Sequence, residues 1–122
     1  MTETAWPTEW LRGSLEMCAL AVIARGETYG YALASELAGA GLGVVKGGTL
    51  YPLLARFEQA GLVRVEWRAG ESGPGRKYYA LTDAGSQELD RRRVQWQAFA
   101  NAVSTIANEK AALSGEKERV HG

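Results

Sequence analysis

Cysteine and histidine are almost absent from this sequence. Cys18 is the single cysteine among 122 residues, so an internal disulfide and a multi-cysteine metal site are both excluded. His121 is the single histidine and stands one residue from the end, where it is a poor candidate for acid–base or triad chemistry. We therefore expect neither an enzyme nor a protein with a metal or another cofactor.

Long hydrophobic runs are also missing. No apolar stretch approaches the roughly 20 residues needed to cross a bilayer, and the start of the sequence does not have the pattern of a signal peptide. Hydrophobic residues still make up 46% of the chain, which is enough for a packed core. We expect a cytoplasmic protein with no membrane partner, built from one domain and one long appended helix.

The net charge is zero, which by itself argues against a nucleic-acid partner, but the charges are unevenly distributed. Residues 1–45 contain two cations and five acids. Residues 46–81 contain only three acids against six cations, which are Lys46, Arg56, Arg64, Arg68, Arg76 and Lys77. A local excess of cations is what contacts with phosphate groups require.

The most informative segment is residues 48–63. Its apolar residues Leu50, Leu53, Leu54 and Phe57 have the spacing of one buried helix stripe, and Gly61 is suited to the turn after a helix end. Pro52 is best tolerated in a first turn, so we expect Thr49 near the N-cap and expect its hydroxyl to cap the helix. The remaining faces carry short or polar groups around a cation. A helix docked in this way can present donors to the major groove of DNA.

Two further helices are expected before this segment, at about residues 10–25 and from residue 28 or 29 to about 37. A very short strand is possible at residues 44–45. After the third helix, Val63, Val65 and Trp67 alternate with charged residues, which predicts a half-buried strand, and residues 76–81 return as its partner. The fold class is therefore α+β, mostly α: a winged helix-turn-helix with a long C-terminal helix.

That last helix is expected to open at Thr82, a hydroxyl N-cap followed by Asp83. Its apolar residues repeat every seven positions, which favours coiled-coil packing against a second copy or against the N-terminal helix. We predict a DNA-binding domain at residues 1–82, a dimerisation helix at 83–113 and a disordered tail at 114–122. The predicted dimer contacts are Leu89, Trp96, Phe99, Val103, Ile106 and Leu113.

Three blocks of sequence together resemble the PadR family of bacterial transcriptional regulators. They are ETYGYAL at 27–33, GTLYPLLARFE at 48–58 and GRKYYALTDAG at 75–85. The resemblance implies a homodimer that binds an inverted-repeat operator, usually as a repressor, through the third helix and the hairpin. The sequence is most similar to the branch of the family with a single C-terminal helix. The resemblance also places Trp96 where some members stack flat aromatic ligands.

These considerations give two sets of candidate residues. The predicted DNA contacts are Tyr31, Lys46, Thr49, Leu50, Tyr51, Arg56, Arg68, Arg76 and Lys77. A small aromatic effector is expected to bind at Trp96 and Phe99, with Trp10 as a further wall. Two alternatives remain open: a winged-helix module that binds a protein, and a helical dimer that binds small molecules without recognising DNA.

Overall fold

The computed structural model describes residues 6–70 and 73–116, with side chains described as far as residue 109. Helix α1 spans Thr8–Ala24, strand β1 Thr28–Tyr29 and helix α2 Gly30–Leu37, which runs into a π-helical turn at Ala38–Leu42. Helix α3 spans Gly47–Gln59, strands β2 and β3 span Val63–Arg68 and Arg76–Leu81, and helix α4 spans Asp83–Glu116. No helix within these described ranges is long and apolar enough to cross a membrane.

The core lies where α1, α2 and α3 meet the sheet. α3 contributes the four apolar residues whose helical spacing was recognised in the sequence, all of them buried. They pack in one cluster with residues of α1 and α2, including Leu20, Ile23, Leu33 and Leu37. Burial of these side chains holds α3 by one stripe and leaves its other faces free.

The start of α3 differs from the expectation. The N-cap is Lys46, whose carbonyl accepts hydrogen bonds from the amides of Thr49 (2.9 Å) and Leu50 (2.9 Å). Thr49 is therefore the third residue of the helix, and the prediction that it caps the helix is wrong. The other end follows the prediction. Gly61 has φ 75°, and the amide of Leu62 donates to the carbonyl of Phe57.

Residues Thr28 and Tyr29 form β1 rather than the start of α2. They pair antiparallel with Tyr79 and Tyr78 of β3, so a long-range partner decides their conformation. The structure has no strand at residues 44–45, where the sequence had suggested one. The strand order is β1-β3-β2, and the hairpin β2–β3, called the wing below, pairs in register from Val63↔Leu81 to Arg68↔Arg76.

Thr82 caps α4 as predicted. Its hydroxyl accepts a hydrogen bond from the amide of Gly85 (3.0 Å) and donates to the carbonyl of Gly61 (2.7 Å). Thr82 thus satisfies a free backbone amide at the start of α4 and links that helix to the turn after α3.

The chain divides into two compact units, Met1–Asp90 and Arg91–Gly122, so the division falls inside α4 rather than at residue 82. Leu89 belongs to the first unit. It is only 4% exposed and packs in the core, so the prediction that it forms a dimer contact is wrong. α4 continues through residues 114–116, beyond its predicted end at 113, and residues 117–122 of the predicted tail lie outside the described range. The side chain of Leu113 also lies outside it.

Candidate nucleic-acid interface

The exposed front of α3 begins at its N-terminal turns. Thr49 is exposed, Tyr51 is half-exposed, and Lys46 lies exposed just before the helix. Leu50 is 2% exposed and belongs to the core. The prediction that its side chain contacts DNA is therefore wrong, because the same residue cannot fill the buried stripe and the exposed front of one helix.

A groove of about 480 Å³ runs between this front and the wing. Both charged residues that line it are cations, and none of its described lining residues is acidic. Three of its aromatic side chains, those of Tyr31, Tyr51 and Trp67, are more than half exposed. The lining residues are Tyr29, Gly30, Tyr31, Tyr51, Ala55, Trp67, Gly75, Arg76, Lys77 and Tyr79.

Tyr51 is held in the groove by close packing against the first turn of α2. A Cβ atom at Gly30 would lie 2.7 Å from the Cε1 and Cζ atoms of Tyr51, so the tyrosine ring occupies space that any other residue would fill. Tyr79 closes the inner side, where burial raises its pKa and the nearby Glu58 and Tyr51 raise it further. The Tyr79 hydroxyl thus stays neutral at the bottom of the groove.

A stack of cations and rings runs along the wing and includes Arg76 and Tyr29 of the groove lining. The Arg76 guanidinium lies 4.4 Å from the ring centre of Tyr29, whose ring meets Tyr78 edge-on at 5.4 Å. Arg68 lies 4.4 Å from the ring centre of Tyr78. Because Tyr29 is in β1, this stack fastens the wing to the segment between α1 and α2.

Arg68 also forms ion pairs at the end of the stack. It donates to both carboxylate oxygens of Glu27 (2.7 Å each) and to Glu66 (3.2 Å), and these bonds raise the pKa of its guanidinium. A phosphate contact had been predicted for Arg68. The structure gives this side chain intramolecular partners, Glu27 and Glu66, near the outer end of the wing, and the phosphate contact stays a prediction.

Two other predicted phosphate contacts have acidic partners. Arg56 donates to Glu16 of α1 at 2.9 Å. Lys77 pairs with Glu58 of α3 at 3.3 Å across the groove side of the wing. Both pairs are partly exposed and therefore weak, so each cation can exchange its carboxylate for another anion at little cost.

Six residues of the groove lining were not among the sequence candidates: Tyr29, Gly30, Ala55, Trp67, Gly75 and Tyr79. Trp67 was assigned to the buried face of its strand, but it is 67% exposed because the strand runs beyond the core. Tyr29 was read as a helix start. A β-branched residue followed by an aromatic one, as in Thr28–Tyr29, is typical of strands and was the available signal.

The candidate effector residues lie in separate units. In the first, Trp10 is exposed and contacts Trp6 at 6.1 Å between ring centres, and the Trp6 indole N–H donates to the Gly41 carbonyl (2.8 Å). In the second, Trp96 and Phe99 contact each other at 6.0 Å. The apolar side chains of α4 from Trp96 to Ile106 are exposed, and Ile106 reaches 72%.

A three-helix core, a helix presented by one stripe and an adjacent β-hairpin together define a winged helix-turn-helix protein of the DNA-binding class. The Transcriptional regulator PadR-like family model matches residues 19–91. The chain belongs to this family, as its sequence blocks had indicated, and its general function is transcriptional regulation rather than catalysis.

Solved structures agree with this assignment. A PadR family transcriptional regulator from Eggerthella lenta is 39% identical with a TM-score of 0.76, covering 83% of this chain and 88% of that one. A Streptococcus transcriptional regulator is 36% identical (TM-score 0.72; 84% and 100% covered). A PadR-like transcriptional regulator from Bacillus cereus is 35% identical (TM-score 0.73; 82% and 97% covered). No protein of curated function matches the chain.

Proposed function

We propose that this protein is a homodimeric transcriptional repressor that acts in the cytoplasm and binds an inverted-repeat operator. The observation that supports it best is the exposed front of α3, with Thr49 and Tyr51, beside a groove whose charged lining residues, Arg76 and Lys77, are both cations. In this arrangement α3 enters the major groove and the wing follows the flanking backbone.

The dimer is proposed to form through α4. Trp96, Phe99, Val103 and Ile106 repeat at coiled-coil spacing and are exposed in the single chain. An apolar seam of this kind is unfavourable in water, and pairing with a second copy would bury it. Two copies would present two α3 helices to successive major grooves. The dimer would also carry two basic wings, which doubles the number of cations available to the DNA.

Release from the operator is proposed to involve a small aromatic effector. The Trp96–Phe99 contact on the seam offers a surface on which a planar ligand can stack. Such a ligand weakens operator binding only if it favours a dimer geometry that spaces the two α3 helices unsuitably, with a coupling free energy of about 1–3 kcal/mol.

Operator binding is tested with a labelled duplex taken from the promoter beside the protein's own gene, and with a scrambled duplex of equal length. We expect tighter binding to the promoter duplex and an affinity that falls steeply with salt concentration. The substitutions Tyr51→Phe and Arg76→Gln should each weaken binding by about tenfold, and Arg76→Gln should also reduce the salt slope by about 1.

Arg12→Gln is the matched control, because Arg12 is an exposed cation on α1, which contributes no described residue to the groove. It should leave both affinity and slope nearly unchanged. If neither duplex is bound at low salt, the protein does not recognise DNA, and a protein-binding role for the same fold becomes the better interpretation.

A further inference from the structure

Trp67 is the one tryptophan among the described residues that line the groove. It lies near the outer end of β2, directly across from Lys77 in the pairing of the wing, and 67% of its surface is exposed. Exposing a large indole ring to water is unfavourable. An exposure of this size therefore indicates a surface that a binding partner covers.

The lining of the groove indicates the chemistry of that partner. Its charged residues are Arg76 and Lys77, and its hydroxyl groups include those of Tyr31 and Tyr51. The nearby carboxylate of Glu58 pairs with Lys77 through a partly exposed contact that a phosphate can replace. Cations and hydroxyls suit phosphate oxygens, while an exposed ring suits an apolar surface between phosphates. One strand of duplex DNA offers both, because its deoxyribose groups alternate with phosphates.

We propose that the groove between α3 and the wing holds one strand of the operator backbone, and that Trp67 packs against a deoxyribose there. This inference rests on the proposed function, but adds a binding residue to it. The indole supplies an apolar contact that releases no counterion, unlike the neighbouring cations. It therefore contributes affinity without contributing to the dependence on salt.

This difference gives the test. In a salt series on the labelled promoter duplex, Trp67→Leu should raise Kd by about tenfold at every salt concentration, leaving the slope of log Kd against log salt unchanged. Trp67→Phe keeps a ring and should lose less. Arg76→Gln in the same series should change both Kd and the slope.

Trp6→Leu is the matched control, since Trp6 is also exposed but lies just before α1, outside the groove. It should leave Kd unchanged. A second measurement uses wild-type protein labelled with 5-fluorotryptophan. The ¹⁹F signal of Trp67, assigned from Trp67→Phe, should shift when duplex is added, while that of Trp6 should not.

Two results would overturn the inference while leaving operator binding established. One is a Kd for Trp67→Leu equal to that for Trp6→Leu, with a ¹⁹F signal of Trp67 that does not shift. The other is a salt slope that flattens in Trp67→Leu as it does in Arg76→Gln. A wild-type protein that binds no duplex would overturn the proposed function and this inference together.

Discussion

Gly85 lies in the first turn of α4, where this helix packs closely against the turn between α3 and β2. A Cβ at this position would lie 2.8 Å from Cδ1 of Leu81 and closer still to the carbonyl oxygen of Leu62. We expect Gly85→Ala to lower the free energy of unfolding by about 1–3 kcal/mol, because the backbone must shift to admit one methyl group. Urea unfolding followed by circular dichroism measures this.

The control for Gly85 is Gly13→Ala in the middle of α1. A Cβ at Gly13 meets no atom within 4 Å, so alanine should stabilise the helix by about 0.5–1 kcal/mol. The close approach at Gly85 is contradicted if both substitutions stabilise the protein.

The ion-pair partners of the basic side chains could not be predicted from the sequence. The presence of cations on α3 and the wing was evident from the sequence, but their partners were not. Glu16 lies 40 positions before Arg56, and Glu27 lies 41 before Arg68. Such distances along the chain carry no local pattern, so only the fold reveals that these cations meet carboxylates.

At the scale of the element, the two threonines at helix starts have different roles. Thr82 caps α4 through its hydroxyl, whereas Thr49 is already inside α3. Thr82→Ala should therefore cost about 0.5–2 kcal/mol of stability, and Thr49→Ala should cost much less. Thermal unfolding of the two variants side by side tests the assignment, and equal losses would contradict it.

The wing is the second element with a testable anchor. Glu27→Gln removes the carboxylate that holds Arg68, while the stack of rings remains. Since the pair is partly exposed, we expect only a small global loss of stability. Local opening should increase, so amides of β2 and β3 near Arg68 should exchange hydrogen faster.

Glu36→Gln is the control for the wing, because it breaks a similar exposed pair with Arg25 away from the sheet. It should leave exchange in the wing unchanged. The anchoring role of Glu27 is refuted if wing amides exchange at the same rate in both variants.

At the scale of the whole molecule, the proposed assembly depends on the exposed seam of α4. Phe99→Glu places a charge in the middle of the seam and should convert the dimer to monomer, because an unpaired carboxylate is costly to bury. Sedimentation velocity detects the change. Asn101→Glu, on the same helix but off the seam, should remain dimeric. A dimer that survives Phe99→Glu must be formed by another surface.

Loss of the dimer should also reduce operator affinity, since two linked half-site contacts become two independent ones. This links the seam to function and separates it from a purely structural role. A monomer that bound the promoter duplex as tightly as the wild type would show that one winged-helix unit suffices.

The sequence by itself determined the helical stripe of α3, its end at Gly61, the alternation of the wing, the cap at Thr82 and the membership of the family. Each of these depends on residues close together in the chain, where periodicity and turn chemistry are visible. The family blocks added the order of the elements.

The tertiary structure decided the rest. It made a strand of Thr28–Tyr29, placed Leu89 in the core, paired three basic side chains of α3 and the wing with acids, and left Trp67 exposed in the same groove as Tyr51. The physical reason is the same in each case: sheet pairing, burial and ion pairing depend on which distant segments meet in space. The pattern of a single segment does not contain that information.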